Sequence, residues 1–476
     1  MNVMNVTIDS PARTYVLQSL DRYWSRDSGP IAALPIPQAG DGSADVLPPR
    51  VVSVALPGWA RDAGVAGAIL VPAHTLLPTS AFPTAPEWAR TDWLAAAFWY
   101  LNATAERAHE RRHGSIHSYA SRLGGWDGRI WERAWVNRIA LFLRRWAAHR
   151  EDADEECLLG PLPLAELILT HDVDAVSKTS AVRLKQSVFH LLNAARYAGR
   201  GRVRAAARKL VEAAGFFIRP GRYWRFDEIM RLEDGRGLRS HFNFYAGSGG
   251  PRRTPRQALL DPAYCVETPR LAEVIRRLHA GGWTVGLHQS FDAHDHTEAM
   301  RRQRERLEGV LGAPVTSCRQ HWLRFSWERT WRAQQAAGLR LDTTLGFNDR
   351  PGFRNAAALC FRPWVAEAKA AMDLEAVPLV LMDSHLYDYR PAPPDEIAAR
   401  MAHWLGEARA VGGTAAVVWH QRVLSEDYGW KDGFEVLLGL LEGQDRETGV
   451  DRVSPAVPLA RRPVSRAGES QGKIKP

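Results

Sequence analysis

Residues 167–174 read Leu167-Ile-Leu-Thr-His171-Asp172-Val173-Asp174. Four strand-forming residues run straight into a cluster of ionisable ones. Ionisable groups at the end of a buried strand are costly to desolvate unless they are paired or used. Two carboxylates two residues apart can divide labour, one holding a metal and the other taking a proton. Alone, the stretch also reads as a helix N-cap at Asp174 in a solvated loop. Recurrence of the pattern decides between the two.

It recurs four times downstream. Val285-Gly-Leu-His288-Gln-Ser290-Phe-Asp292-Ala-His294-Asp-His296 is a second short strand that ends in histidines and carboxylates, which are good zinc ligands. Thr316-Ser-Cys-Arg319-Gln-His321-Trp322-Leu323-Arg324 offers an arginine able to grip a carboxylate at two points. Leu341-Asp342-Thr343-Thr344 follows, then Pro351-Gly-Phe-Arg354. Ala416-Val-Val-Trp419-His420 ends a β-run on an imidazole. A solvated loop, a surface salt bridge or a core histidine explains any one of these. The five together are poorly explained that way.

The segments between them set the fold class. Short apolar runs at Leu167–Thr170, Arg239–Tyr245, Thr284–Leu287, Val377–Met382 and Ala415–Trp419 alternate with helical patterns. Those patterns cover Pro269–Ala280, Thr297–Leu311, Ser326–Ala337 and Pro394–Ala410. Strand alternating with helix predicts an α/β fold with a parallel sheet or barrel, whose active site forms beyond the carboxyl ends of the strands.

Upstream, the texture is different. A helix-like piece at Tyr15–Trp24 precedes a Pro/Gly/Asp-rich linker or long loop at Pro35–Pro49. Two short strands are expected at Val51–Ala55 and Ala68–Val71, and helices at Pro86–Arg111 and Gly128–Trp146. The acidic run Glu151–Glu156 marks the boundary. Residues 1–160 thus form an α-rich region with its own core, 161–445 the strand–helix domain, and 446–476 a disordered tail rich in Arg, Ser, Pro and Gly.

Composition removes several classes. With 45% hydrophobic and 24% charged residues the chain has ample core material. Four isolated cysteines, Cys157, Cys265, Cys318 and Cys360, make neither a zinc knuckle nor a disulfide framework. The first residues, MNVMNVTIDSPART, lack a basic n-region and an apolar h-region, and no apolar run is long enough to span a bilayer. A cytoplasmic protein, peripheral to the membrane at most, is expected. The formal charge of +9 is uneven. From Lys178 to Arg225 a dozen basic residues face one acid, Glu212. The stretch reads as a solvated basic face, or as a contact for phosphate on a lipid or nucleotide sugar. No nucleic-acid module accompanies it.

The ordered series of motifs resembles the polysaccharide deacetylase family, the NodB-homology or carbohydrate esterase family 4 type, over roughly Leu167 to Tyr428. The resemblance implies a distorted (β/α)7 barrel and a divalent metal, zinc being the expected ion. It implies hydrolysis of acetyl groups on sugars. Residue by residue, Asp172 resembles the catalytic base and Asp174 the metal carboxylate. His288 resembles the first metal histidine, Arg319 the arginine that orients the base, and His420 the general acid. The Trp322 amide resembles an oxyanion donor. Asp342 falls where the family places a residue supporting the acid histidine. The second motif departs from the family spacing. Four residues after His288 stands Asp292, and six after stands His294. His294 is the expected third ligand on chemistry, Asp292 the alternative on register. His321 stands where many members have proline, and His171 where an aromatic residue is common.

The expected substrate is an acetylated sugar or polysaccharide precursor carried on a lipid or a nucleotide. Two rival readings stand beside it. One is a metal-independent C–N hydrolase on the same fold. The other is a non-catalytic sugar-binding or assembly module.

Overall fold

The computed structural model describes residues 10–39, 46–247, 253–389, 391 and 393–442. The expected tail at 446–476 lies outside these residues. Strands β1 (Val51–Ala55) and β2 (Ala68–Pro72) form an antiparallel pair. The main sheet takes β3 (Glu166–Val173), β4 (His241–Tyr245), β5 (Thr284–Gln289), β6 (Ser317–Gln320) and β7 (Leu341–Asp342). A small antiparallel pair, β8 (Trp364–Val365) and β9 (Ala370–Ala371), stands apart. The sheet is completed by β10 (Glu375–Ala376), β11 (Leu379–Met382) and β12 (Thr414–Val418).

The eight main strands run in the order β10-β7-β6-β5-β4-β3-β12-β11, every pairing parallel. Its two end strands are separated in sequence by only Val377 and Pro378. The segment from Glu375 to Met382 therefore pairs with β7 at its start and β12 at its end. Proline lacks the N–H a ladder needs, so the strand breaks there. Counted as one, the broken strand makes seven staves, and the sheet curls into the expected (β/α) barrel. The strands are buried on both faces because helices cover the outside. The helices Pro269–Ala280, Thr297–Leu311 and Pro394–Ala410 have the predicted bounds. The predicted helix Ser326–Ala337 is shorter, Thr330–Ala336, because Ser326–Arg329 form the turn that enters it.

The N-terminal region has its two strands where expected, but its helices have other bounds, Ser10–Ser19 in place of Tyr15–Trp24 and two helices in place of Pro86–Arg111, and its core is not its own. Asp92 caps the helix Trp93–Leu101 by accepting from the Ala95 amide, and all nine helical residues are buried. Ala103, at φ 46°, separates it from the helix Thr104–His113. The predicted Gly128–Trp146 helix begins as a 3₁₀ turn, Gly128–Trp131, and continues as Trp135–Glu151. One apolar cluster runs from Ala12 through these helices to the barrel and on to Leu441. The region shares its core with the barrel because the helix Trp93–Leu101 is apolar all round and must be covered on every side. Asn137 seals the junction: it donates to the Ala358 carbonyl at 2.8 Å and accepts from the Ala358 amide at 2.9 Å.

Between β3 and β4 the chain leaves the barrel as two helices, Ser180–Ala198 and Val203–Ile218, packed against each other. The four cysteines are free. No helix among the described residues is long and apolar enough to cross a membrane.

Candidate active site

Strand alternation places the first motif. Side chains two apart share a face. Thr170 and Asp172 both turn toward Arg319 of β6, whose Nη1 lies 2.6 Å from Thr170 Oγ1 and 3.3 Å from Asp172 Oδ1. His171 turns the other way, into the barrel wall. Its ring nitrogens lie 2.5 Å from the Trp419 carbonyl and 2.7 Å from Glu233 Oε1. The imidazole packs on Phe242 and Phe434 and takes two polar partners.

Asp172 has a second clamp. Asn243, its partner across the β3–β4 pairing, donates from Nδ2 to Asp172 Oδ1 at 2.9 Å. Asn243 fits there because position 286 is glycine; a Cβ would meet Asn243 Oδ1 at 2.4 Å. Burial pushes the Asp172 carboxyl up. Arg319 foremost, with His420, outweighs burial and holds it below the ordinary carboxylate range.

Asp174 lies just past the end of β3 at the centre of the site. Its Oδ1 is 3.2 Å from His288 Nε2 and 3.5 Å from His321 Nε2. Its Oδ2 accepts from Arg422 and lies 3.6 Å from His420 Nε2. Burial raises this carboxyl too, but the Arg422 guanidinium outweighs it and keeps it well below the usual range.

Asp174, His288 and His321 each turn one ligand atom into a common space, all within 4.8 Å of one another. Asp174 Oδ1 and His288 Nε2 are buried yet make no hydrogen bond, although they face each other. His288 Nδ1 lies 3.0 Å from the Arg319 carbonyl. The proton therefore belongs on Nδ1, which leaves Nε2 its lone pair, the orientation metal-bound histidines take. Burial pulls the His321 pKa down to about 4, so its ring is neutral and able to ligate. This donor set, one carboxylate and two imidazoles, fits a divalent transition metal such as zinc.

His294 and Asp292 are not in this group. After β5 the chain closes a 3₁₀ turn at Phe291–Ala293. That turn carries His294 onto the His117 ring, 5.3 Å between centroids, beside Asp295. Asp292 is tied to Arg256 and Arg324 instead. The histidine that joins Asp174 and His288 comes from β6's end and is His321.

His420 follows β12. Its Nδ1 lies 2.9 and 3.0 Å from the two oxygens of Asp383, and its backbone amide donates to Asp383 Oδ2 at 2.5 Å. Burial alone would depress its pKa; Asp383 and Asp174 outweigh it and raise the value. Asp342, expected to support His420, does not touch it. Its oxygens accept from Trp331 Nε1, Gln334 Nε2 and Thr344. Burial raises its pKa. Asp383 is the supporting acid, and it too directly follows a predicted strand, the run ending at Met382.

Trp322 and Leu323 both sit in the left-handed region, at φ 58° and 46°. Side chains adopt it rarely and at a cost, and several bonds hold the pair in place. Asn348 Nδ2 donates to the Trp322 carbonyl at 2.7 Å and Ser118 Oγ to the Leu323 carbonyl at 2.5 Å. Ser115 and Glu110 engage the next residues, Phe325, Ser326 and Trp327. The N-terminal region thus braces the loop beside the site. Lys185, from the first inserted helix, lies 4.5 Å over the Trp322 ring. Burial lowers its pKa to about 8. With Asp174, Asp261, His321, Arg422 and Tyr428 it lines the cleft that opens from the site.

No family model matches the chain, and no curated protein matches it. Among solved structures, one described as a polysaccharide deacetylase from Mycobacterium smegmatis is 16% identical, with 60% of this chain and 90% of that one covered and a TM-score of 0.33. A mutant of a CE4 family pseudoenzyme with restored enzymatic activity is 8% identical, covering 59% and 64%, TM-score 0.29. The chitin deacetylase from the fungal pathogen Colletotrichum lindemuthianum is 13% identical, covering 54% and 90%, TM-score 0.21. At these scores the likenesses name what the chain is similar to, and the chemistry rests on the residues themselves.

Proposed function

We propose that this chain is a metal-dependent hydrolase that removes acetyl groups from a sugar or polysaccharide precursor. The observation that carries the reading is the convergence of Asp174, His288 and His321 beside an Arg-held aspartate, Asp172, and an Asp-held histidine, His420. A divalent ion held by Asp174, His288 and His321 supplies a Lewis acid able to polarise a carbonyl and lower the pKa of water toward about 7.

The residues of the chain do the rest. Asp172, kept ionised and oriented by Arg319 and Asn243, accepts the proton of the attacking water. The Trp322 amide donates to the oxyanion that develops on the acetyl carbonyl, an effect worth about 3 kcal/mol per donor. His420, held through Nδ1 by Asp383, presents Nε2 and gives a proton to the departing nitrogen or oxygen. Acetate and a free amine or alcohol leave. Lys185 places a cation on the cleft wall beside the Asp174–Arg422 pair, which suits a phosphate-bearing carrier, either a nucleotide or a lipid.

The test is elemental mass spectrometry of purified protein after incubation with zinc. The wild type is expected to hold about one metal per chain, and Asp174→Ala and His321→Ala to lose it, whereas His294→Ala keeps it. Loss in His294→Ala with retention in His321→Ala would return the third ligand to His294. A wild type that holds no zinc, cobalt or nickel sinks the metal reading and leaves a metal-independent C–N hydrolase in its place.

A further inference from the structure

The two inserted helices leave most of their large aliphatic side chains exposed. Most surface helices bury an apolar face and expose a polar one. On Ser180–Ala198 the buried residues are Ser187, His190, Asn193 and Ala194. Leu184, Val188, Leu191 and Leu192 are exposed, Leu192 to 59%. Their spacing of four, three and one puts them on one helical face. On Val203–Ile218 the pattern repeats. Ala206, Lys209, Ala213 and Phe216 are buried, while Val203, Leu210, Val211, Phe217 and Ile218 are exposed, Val211 to 69% and Ile218 to 76%. Their offsets of seven, eight, fourteen and fifteen from Val203 again trace one face.

Polar groups hold the helices together. Ser187 Oγ donates to the Ala213 carbonyl at 3.0 Å, and Glu212 takes Lys209 at 2.6 Å and lies 3.6 Å from His190. The root of the hairpin is fixed to the barrel. Lys178 pairs with Asp427 at 2.6 Å, both side chains buried, and lies 3.8 Å over the Phe216 ring. The outward apolar face is therefore presented by an anchored element.

Charge identifies what covers it. The far tip reads Arg196-Tyr-Ala-Gly-Arg200-Gly-Arg202-Val-Arg204, and all four arginines are exposed. Glu212 is the sole acid between Lys178 and Arg225. An outward apolar stripe beside a cluster of arginines suits the boundary of an anionic bilayer, where acyl chains take the apolar side chains and headgroup phosphates take the guanidinium groups. We infer that the hairpin 180–218 docks this protein on an anionic membrane surface and holds the cleft at the level of the headgroups. Thr179, Val182, Lys185 and Gln186, at the root of the same helix, line that cleft. A docked hairpin therefore puts its mouth within reach of a lipid-borne substrate, and only this last step rests on the deacetylase reading.

The experiment is flotation of the full chain with phosphatidylcholine vesicles containing about one quarter phosphatidylglycerol. Its comparison is a Leu192→Glu/Val211→Glu double variant, with circular dichroism to verify folding and sedimentation to report oligomeric state. Both substituted positions are exposed, so the fold should be kept. The wild type is expected to float and the double variant to lose about tenfold or more of its bound fraction. Arg200→Glu/Arg202→Glu should weaken binding to these vesicles and leave any residual binding to pure phosphatidylcholine unchanged. A wild type that stays with the unbound protein overturns the inference, as does a double variant that floats equally well. So does a wild-type dimer that the double variant dissociates, which would assign the face to a second copy. Flotation without release of acetate from any acetylated sugar leaves the docking in place and counts against the proposed chemistry alone.

Discussion

His420→Ala is expected to lower turnover on an acetylated sugar by about 10²- to 10⁴-fold, the range typical of a lost general acid, while metal content stays at the wild-type level. The separation follows from the geometry. His420 faces Asp174 at 3.6 Å but is not one of the three residues that share the ligand space. Removing its ring takes away a proton donor and leaves Asp174, His288 and His321 in place. Asp383→Asn tests the same arrangement from behind. Asp383 never reaches the cleft; it positions the imidazole and raises its pKa. A histidine with a raised pKa stays protonated to a higher pH, so activity is lost only as pH rises through that value. With asparagine at 383 the alkaline limb should move to lower pH, and kcat should fall more than KM rises. Turnover of His420→Ala at the wild-type rate would remove the residue from the chemistry. An unmoved alkaline limb in Asp383→Asn would reduce Asp383 to a packing group.

The largest effect on stability is expected at Arg354. The residue is fully buried and donates to both oxygens of Glu106, from Nε at 3.2 Å, to Ser118 Oγ at 2.5 Å and to the Gly346 carbonyl at 3.0 Å. Its guanidinium also lies 5.3 to 5.5 Å from the centroids of Phe325, Trp327 and Phe347. Arg354→Ala strands the Glu106 carboxylate in the shared core with one donor left, Trp327 Nε1 at 2.7 Å. Breaking one side of a buried pair costs about 3–5 kcal/mol. Glu106→Gln/Arg354→Met, which leaves no charge behind, should lose clearly less. Urea unfolding of both variants measures the difference. Equal midpoints for Arg354→Ala and wild type would show that water or another group takes over the carboxylate.

Much of this was legible along the chain. The apolar runs at Leu167, Thr284 and Ala415 and the helices at Pro269, Thr297 and Pro394 could be read because their periods of two and 3.6 are local properties. The residues just beyond the strand ends were legible for the same reason, since parallel strands gather their carboxyl ends. The third histidine was not. His294 and His321 stand on different loops, and choosing between them requires knowing that Phe291–Ala293 turns away while β6 lies beside β5. Asp342 and Asp383 were confused on similar grounds. Asp342 ends β7 and Asp383 follows β11, but the two strands differ in their neighbours, and only β11 lies beside the strand that leads to His420. The outward aliphatic face of the hairpin was also hidden: an apolar stripe reads as a core-facing side until the structure gives its direction.

The place of β12 between β3 and β11 has a consequence for the order in which the molecule can be made. The first stave of the barrel to leave the ribosome acquires its neighbour on that side only when residues 414–418 emerge, about 250 residues later. At roughly 5–20 residues per second that is on the order of ten seconds or more. Throughout that interval the edge of β3 that will lie under His420 has no partner in its own sheet. Unpaired edges invite strangers. The N-terminal helices, already synthesised and including the wholly apolar Trp93–Leu101, wait in the same period for Arg354 and Ala358 to complete their burial. Nascent chains of this protein should therefore be most dependent on chaperones just before Thr414 appears.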